Sequence, residues 1–403
     1  MFRFTIRQML QAVTLVAILL MLGLSENSRQ RFSMIECLSY SRDGTKLLVS
    51  RLDSQDAGVS FKSYRANISR AVSVIDAKSG RPLRSVRDEL VTGNQGPGRL
   101  FWSPGRTSVS FDRASDSIVV QDFGGGQLSI YSPDEKVQIR RPAAQSHMST
   151  SISVCAAGNL VAFGDAETFS VIDLSSGILV NKFATSRAWP ANLDLRIAAN
   201  GRAKLLISGR DRVECWDVSS GKEDYEVHWS RDLYPHIAAM LLDNFNFFIA
   251  ATGEGLKMYD RDGNVAATFS DADDIQACAI SSDQSLVAVS RWKAVEIIDL
   301  QSQVKLRDFL LPSTTTLAFS PDASQLAAGH DKGQIMAIDP ITGRTVWSAA
   351  APRHTSAFHR ETWHWSIPAL SLIAWTYATW KLGKRKLAAE RIDRASRDSS
   401  IQW

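Results

Sequence analysis

Two patterns in the sequence predict an all-β fold made of similar units, each with four short antiparallel strands. The first is alternation, because apolar and polar residues alternate in four runs near the C-terminus: Thr315–Ser320, Gln325–Gly329, Gln334–Asp339 and Arg344–Ser348. Pro, Gly, Asp and Ser separate these runs, as is typical of half-buried strands joined by tight turns. The second is repetition, and a four-stranded sheet of this size needs stacked copies to bury its faces.

The same pattern recurs along the chain, and the residue before the last turn of each copy marks its period. Going backwards from Thr314–Ser348, the copies are Ile275–Phe309, His236–Phe269, Leu193–Val227, Ser151–Phe183 and two looser ones at Thr107–Arg140 and Ile35–Arg87. The marker residues are Asp76, Ser132, Asp173, Asp217, Asp260, Asp299 and Asp339, at intervals of 56, 41, 44, 43, 39 and 40 residues. A period of about 40–45 residues with four strands predicts a β-propeller. Seven copies predict seven blades, over residues 33–350.

The residues at two of the recurring turns resemble those of the WD-repeat family and its wider propeller relatives. Phe319-Ser320-Pro321-Asp322 stands at the first turn of the last copy, and Trp216-Asp217 ends a third strand. Asp173-Leu174 and Asp299-Leu300 occupy the second of these places in other copies. The resemblance covers roughly Ile35–Ser348 and implies the propeller fold. It implies no particular activity, because one fold supports many functions.

Composition agrees with a large globular domain. Of 403 residues, 44% are hydrophobic and 22% are charged, and the formal net charge is +4, all ordinary values for a folded domain. The basic residues are scattered, so no nucleic-acid partner is expected. Cys37, Cys155, Cys215 and Cys278 each fall in an apolar strand of a different copy. This placement predicts buried thiols, and their spacing does not match a zinc site.

The first 25 residues predict an N-terminal hydrophobic helix that directs the chain to a membrane. Arg3 and Arg7 precede an uncharged run of 17 residues, Gln8–Leu24, which is at the lower limit for spanning a bilayer. The same layout fits a secretory signal, with Gly23 and Ser25 as the small residues near a cut. Both an uncleaved anchor and a cleaved signal fit these residues.

A second uncharged run, Trp363–Trp380, predicts a C-terminal transmembrane helix. Its 18 residues would extend about 27 Å as a helix, close to the hydrocarbon thickness of a bilayer. Tryptophan occurs at both ends of the run, as in an aromatic belt. The alternative is an amphipathic helix lying on the propeller, although the polar residues form no consistent stripe.

Basic residues after this run predict the orientation of the chain. Within 381–403 they are Lys381, Lys384, Arg385, Lys386, Arg391, Arg394 and Arg397. Because basic flanking segments stay on the cytoplasmic side, this tail is expected in the cytoplasm. The propeller is then expected on the extracytoplasmic side, attached to the membrane through both terminal helices.

Two functions fit a chain of this kind. The sequence contains no GxSxG motif and no Walker-type loop, and His228 and His236 are eight residues apart, a spacing that does not match a metal-binding pair. We therefore expect a non-enzymatic scaffold with no cofactor and no metal. Its partner would be a protein that the sequence does not identify. The alternative is a propeller enzyme of the quinoprotein or lactonase type, with ligands from several blades in the central channel. The predicted innermost strands carry few acidic residues and no histidine, which favours the scaffold.

The order of strands predicts how the ring closes. Phe32–Ser39 begins directly with an innermost strand and Thr345–Ser348 ends with an outermost one. We therefore expect the first and last blades to pack side by side without a shared strand. Chain entry and exit, and the loops between second and third strands, then lie on one face. Two long insertions, Asp53–Arg70 and Asp88–Arg106, are expected on the same face.

Eight aromatic residues are candidate membrane- or partner-facing contacts on that face. They are Phe61, Tyr64, Phe101, Trp102, Trp189, Trp229, Tyr234 and Trp292. Aromatic rings near basic residues suit the headgroup region of a bilayer. The alternative is that these rings fill gaps between blades. The opposite face, with turns such as Arg42–Thr45 and Pro321–Ser324, would be free for a soluble partner.

Overall fold

The computed structural model shows seven four-stranded antiparallel sheets arranged as the blades of a β-propeller. It describes residues 31–56, 65–94, 109–112, 115–121, 127–132, 137–142, 153–164, 168–184, 192–198, 200–209, 212–228, 239–242, 245–252, 254–270, 275–311, 313–352 and 389. Met1–Arg353 forms one compact unit and His354–Trp403 forms a second. In the second unit only Ala389 is described, and it is helical.

Each blade consists of four strands that are consecutive in the chain. Blade 1 contains β1 (Arg31–Tyr40), β2 (Lys46–Asp56), β3 (Arg65–Asp76) and β4 (Pro82–Asn94). Blade 2 contains β5 (Val109–Phe111), β6 (Ile118–Gln121), β7 (Gln127–Tyr131) and β8 (Val137–Pro142). Blade 3 contains β9 (Ser153–Ala157), β10 (Leu160–Gly164), β11 (Thr168–Asp173) and β12 (Leu179–Ala184).

The remaining four blades repeat this arrangement. Blade 4 contains β13 (Asn192–Ile197), β14 (Ala203–Ser208), β15 (Arg212–Asp217) and β16 (Lys222–His228). Blade 5 contains β17 (Ala239–Leu241), β18 (Phe247–Thr252), β19 (Gly255–Asp260) and β20 (Val265–Ser270). Blade 6 contains β21 (Ala277–Ile280), β22 (Leu286–Ser290), β23 (Val295–Asp299) and β24 (Lys305–Phe309). Blade 7 contains β25 (Thr314–Phe319), β26 (Leu326–His330), β27 (Gln334–Ile338) and β28 (Thr345–Ala350).

The first strand of each blade is innermost and the fourth is outermost. First strands of neighbouring blades contact each other, as β1 does with both β5 and β25. In β26, a second strand, every residue is buried, whereas four of the five residues of β24, a fourth strand, are exposed. Second strands such as β22 and β26 are therefore mostly apolar, because a neighbouring blade covers each of their two faces.

Seven hydrophobic clusters hold the ring together, and each joins two neighbouring blades. The cluster between blades 3 and 4 contains Phe169, Phe183, Leu195 and Leu205. The other six lie at the other six blade junctions. The ring is therefore stabilised mainly by apolar burial between blades, in addition to the hydrogen bonds within each blade.

In the described residues, the ring closes as the sequence predicts, with blades 1 and 7 packed side by side. There β1 pairs only with β2, so no strand is shared, and Ile35, Leu47 and Ile335 belong to one buried cluster. Trp347 Nε1 donates a hydrogen bond of 2.6 Å to the carbonyl oxygen of Ala77. Side-chain packing and side-chain hydrogen bonds replace a shared strand at this junction.

Blade 1 has longer strands than the sequence predicts, and parts of its two expected insertion loops are strands. Its strands are 10, 11, 12 and 13 residues long, whereas all other strands have three to seven. Residues 53–56 and 65–70, expected in an insertion loop, extend β2 and β3, with 53–56 paired to 66–69, and 88–94 extend β4. Polar strands can form here because each supplies backbone hydrogen bonds to its neighbour. The loop prediction was wrong for these residues, and 57–64 and 95–106 lie outside the described residues.

Candidate functional site on the connection face

The ring has two faces that carry different connections. Because every blade starts innermost and ends outermost with four antiparallel strands, the links between blades and the loops between second and third strands share one face, here called the connection face. The other loops share the opposite face, here called the turn face. Chain entry at Arg31 and the end of the last strand at Ala350 are both on the connection face.

Trp292 lies on the connection face, in the four-residue loop 291–294 that joins β22 to β23 in blade 6. The loop is tight because the backbone N–H of Arg291 donates to the carbonyl oxygen of Ala294 over 2.7 Å. Trp292 is 61% exposed. More than half of the surface of this side chain is therefore in contact with solvent.

Hydrogen bonds fix this loop against the link between blades 6 and 7. The backbone N–H of Ser313 donates to the carbonyl oxygen of Trp292 over 3.0 Å. The hydroxyl of Ser290 donates to the carbonyl oxygen of Thr314 over 3.1 Å. The indole is therefore attached to a backbone that is held in place, which lowers the entropy that a contact would cost.

Leu310 lies beside this loop and is the most exposed large apolar residue described, at 87%. Its position follows from the pairing of Phe309 with Val295, because Leu310 continues β24 where the loop of Trp292 leads into β23. The next residue, Leu311, is 6% exposed and belongs to the core between blades 6 and 7. Alternation at the strand end thus turns one leucine inward and the other into solvent.

The charged residues around Trp292 and Leu310 have both signs. Lys293 and Lys332 are exposed, and Asp331 is half-buried. Arg291 Nη2 lies 2.9 Å from Glu296 Oε2 in an ion pair, so that charge is compensated locally. The exposed cations Lys293 and Lys332 therefore sit on loops that flank the two apolar side chains.

The end of the propeller is held on the same face. The backbone N–H of Ala351 donates to the carbonyl oxygen of Gly333 over 2.9 Å. Arg51 Nη1 donates to the carbonyl oxygen of Ala351 over 2.7 Å, and its Nη2 lies 2.9 Å from Asp53 Oδ1. These contacts fix the point at which the chain leaves the ring, at the junction of blades 1 and 7.

Of the eight aromatic candidates from the sequence, Trp292 is on the connection face as expected. The other seven, Phe61, Tyr64, Phe101, Trp102, Trp189, Trp229 and Tyr234, lie outside the described residues. Leu310 was not among the candidates. A pair of adjacent leucines signals only that one of them faces the core, and the sequence does not say which.

The turn face is built from two repeated turns, and the first joins strands one and two. In blades 1, 6 and 7 a serine hydroxyl donates to the aspartate two residues later: Ser41 to Asp43 over 2.7 Å, Ser281 to Asp283 over 2.6 Å and Ser320 to Asp322 over 2.6 Å. These hydrogen bonds stabilise the carboxylate form. The bond from Ser41, followed by bonds from Thr45, lowers the pKa of Asp43 to about 2.

The second repeated turn joins strands three and four and explains the period of the sequence. The aspartate at the end of the third strand accepts hydrogen bonds from the backbone and hydroxyl of the serine three residues later, in the pairs Asp76–Ser79, Asp173–Ser176, Asp217–Ser220 and Asp299–Ser302. The hydroxyl of Ser175, and then the backbone N–H of Ser176, lowers the pKa of Asp173 to about 2. The next residue, Gly177, has φ +65°, a conformation that glycine adopts without strain.

Titratable groups in the described interior show no arrangement typical of catalysis. Burial raises the pKa of the Cys215 and Cys278 thiols to about 12, so both are protonated at neutral pH. Cys37 and Cys215 are buried thiols, as the sequence predicts, whereas Cys278 is partly exposed, and the side chain of Cys155 lies outside the described residues. Among the residues that the structure describes, no three His, Cys, Asp or Glu side chains are placed to hold a metal ion.

Comparison with known proteins adds no family to this description. No protein-family model matches the chain, and no curated protein is significantly similar to it. The resemblance to WD-repeat proteins is therefore carried by the propeller architecture and the turn residues alone.

The predicted terminal helices, Gln8–Leu24 and Trp363–Trp380, lie outside the described residues. No helix in the described part of the chain is long and apolar enough to cross a bilayer. The membrane-spanning helices and the orientation of the chain therefore stay predictions from the sequence.

Proposed function

We propose that the protein is a non-enzymatic interaction scaffold, tethered to a membrane by its terminal segments and carrying its propeller on the extracytoplasmic side. The positions of the first and last residues of the propeller support this most directly. Arg31 begins β1 and Ala351 follows β28, and both are on the connection face at the junction of blades 1 and 7. Six residues separate Arg31 from Leu24, and ten residues separate Pro352 from Trp363. Both apolar runs can therefore enter one bilayer without crossing the ring.

The proposed orientation rests on the charges that follow the second apolar run. The segment 381–403 carries seven Lys and Arg residues, and such segments remain in the cytoplasm. With the tail inside, a single crossing at Trp363–Trp380 puts the propeller outside. The N-terminal run returns to the cytoplasmic side if it is an uncleaved anchor, in agreement with Arg3 and Arg7.

The scaffold role is supported by the way in which the ring is built. Seven apolar clusters at the blade junctions make it a rigid body, and a rigid body with many loops is suited to recognition. With the connection face toward the membrane, the turn face is presented to a protein partner. It carries exposed apolar residues such as Ile341, which is 56% exposed.

Topology can be tested on the full chain in intact cells. A cytoplasm-dependent reporter fused after Trp403 is expected to be active, and protease added outside is expected to degrade the propeller and spare the tail. Alkaline extraction is expected to leave the protein in the membrane fraction. Release into the supernatant, or protection of the propeller from external protease, would contradict the tether or the orientation, respectively.

The scaffold role needs a separate test. A photo-crosslinking amino acid at Ile341, on the turn face, is expected to form one discrete protein adduct in intact membranes. The same amino acid at Leu310, on the connection face, is the matched control and is expected to form no such adduct. Absence of an adduct at Ile341 and at neighbouring turn-face positions would count against a protein partner on this face.

A further inference from the structure

Exposed apolar side chains divide into two groups by their place in the ring. Most lie on outermost strands or the turns before them: Leu83, Ile178, Leu179, Val180, Val265, Val304, Leu306, Ile341 and Val346. Within the described residues, Trp292 and Leu310 are the two large exposed apolar residues on the connection face. They are also neighbours, because Phe309 pairs with Val295 at the foot of the Trp292 loop.

We propose that Trp292 and Leu310 insert into the headgroup region of a phospholipid bilayer, so that the propeller rests on the membrane through blades 6 and 7. This inference deepens the proposed function and rests on it. Trp292 has the amphipathic ring that favours the membrane–water interface. Leu310 supplies an apolar side chain with no described protein cover, and Lys293 and Lys332 are placed to meet lipid phosphates.

The place where the chain leaves the ring puts a bilayer within reach of this patch. Ala351 is fixed on the connection face by hydrogen bonds with Gly333 and Arg51. The ten residues 353–362 that follow can span at most about 35 Å when fully extended. A bilayer that receives Trp363–Trp380, as proposed above, would therefore lie no more than about 35 Å from Ala351 on the connection face.

The backbone that carries the patch is suited to a surface contact. Ser313 N–H and the Ser290 hydroxyl fix the loop and the link to blade 7. Leu311, beside Leu310, is anchored in the core between the blades. Binding therefore orders little additional chain, which leaves more of the apolar and ionic attraction available as affinity.

The extension of blade 1 is on the same face as the patch. Beyond Arg51, which contacts Ala351, strand β2 continues to Asp56, a further five residues or about 17 Å. The proposed bilayer contact therefore has to accommodate this extension beside the point where the chain leaves the ring.

Depth-sensitive labels on the full-length protein in liposomes test the proposal. Trp292→Cys, Leu310→Cys and Ile341→Cys variants carry an environment-sensitive fluorophore, and the labelled unsubstituted protein gives the background from native thiols. Lipids with a spin label near the headgroup are expected to quench the labels at 292 and 310. Ile341 is a matched exposed residue on the turn face, and its label is expected to keep its aqueous emission and escape quenching.

A second pair of variants separates contact from misfolding. Leu310→Asp is expected to abolish most of the quenching at position 292, while Leu306→Asp, at a 43% exposed position on an outermost strand, leaves it unchanged. Unfolding temperatures equal to that of the unsubstituted protein exclude a folding defect in either variant.

Each remaining outcome has a distinct meaning. If the protein floats with liposomes but the labels at 292 and 310 stay aqueous, the inference is overturned and the tether stands. If the labels are shielded from aqueous quenchers yet not quenched by lipid, a protein covers the patch and the inference is again overturned. If the full chain does not float with liposomes, the proposed tether itself fails.

Discussion

Arg51, in the second strand of the first blade, donates a hydrogen bond of 2.7 Å to the carbonyl oxygen of Ala351, which is 300 residues later and follows the last strand. Arg51 is 2% exposed and also forms an ion pair with Asp53 in the same strand. A buried charged side chain of the first blade thus contacts the chain just after the last blade. This closure depends on side chains, so single substitutions can test it.

We expect Arg51→Met to lower the free energy of unfolding by about 3 kcal/mol, because it removes the buried hydrogen bond to the Ala351 carbonyl and the ion pair with Asp53. Denaturant unfolding of the detergent-solubilised full chain measures the change. Arg344→Met, at an exposed position in the last blade, is the control and should change stability by less than about 0.5 kcal/mol. Equal effects of the two substitutions would mean that the Arg51 contacts do not hold the ring closed.

Gly329 tests how tightly the same junction is packed. A Cβ atom there would lie 2.6 Å from Ile35 Cβ and 2.8 Å from Thr316 Cγ2. We expect Gly329→Ala to cost about 1–3 kcal/mol through overpacking. Gly201→Ala is the control, because its Cβ would meet nothing within 4 Å and only the φ of +79° opposes it. A larger drop in unfolding temperature for Gly201→Ala would show that the junction can relax.

The blade count was predictable because turn chemistry repeats in the sequence. Asp76, Asp173, Asp217 and Asp299 mark the same turn in four of the copies, because each binds a serine three residues later. Most strand positions outside blade 1 were predictable for a related reason: second strands such as β22 are largely apolar, and the turns between strands contain Asp, Ser or Gly. Local chemistry was sufficient to predict these features.

The extension of blade 1 and the exposure of Leu310 were not predictable in this way. Residues 53–56 are polar and look like a loop, and they form a strand only because three other strands extend beside them. Leu310 and Leu311 are chemically identical, and the end of β24 decides which one faces solvent. Both features depend on tertiary neighbours rather than on local pattern.

The aspartates of the turn face predict a loss of stability in acid. The pKa of Asp43 and of Asp173 is lowered to about 2, below the ordinary value near 3.9 in an unfolded chain. Their contribution is therefore fully present above about pH 4 and is lost as the pH falls toward 2. We expect the denaturant midpoint to fall steeply over that range. Asp173→Asn should make the denaturant midpoint depend less steeply on pH between about 4 and 2. An unchanged dependence would show that this turn does not contribute to the loss of stability in acid.

Glu214 is expected to make the folded state more stable as the pH falls from about 7 toward 5, in contrast to the turn-face aspartates. Burial raises its pKa, Glu223 and Glu226 add to the shift, and Trp216 Nε1 opposes it by donating to Oε2 over 3.2 Å. A carboxyl whose folded pKa exceeds its unfolded pKa binds protons more readily in the folded state, so stability rises as the pH falls through that range. We expect Glu214→Gln, which keeps an acceptor for Trp216, to raise the denaturant midpoint at pH 7 and to flatten its dependence between pH 7 and 5. Glu223→Gln, at an exposed position of the same blade, is the control and should have a smaller effect. A lower midpoint for Glu214→Gln at pH 7 would show that its charge stabilises the junction of blades 3 and 4.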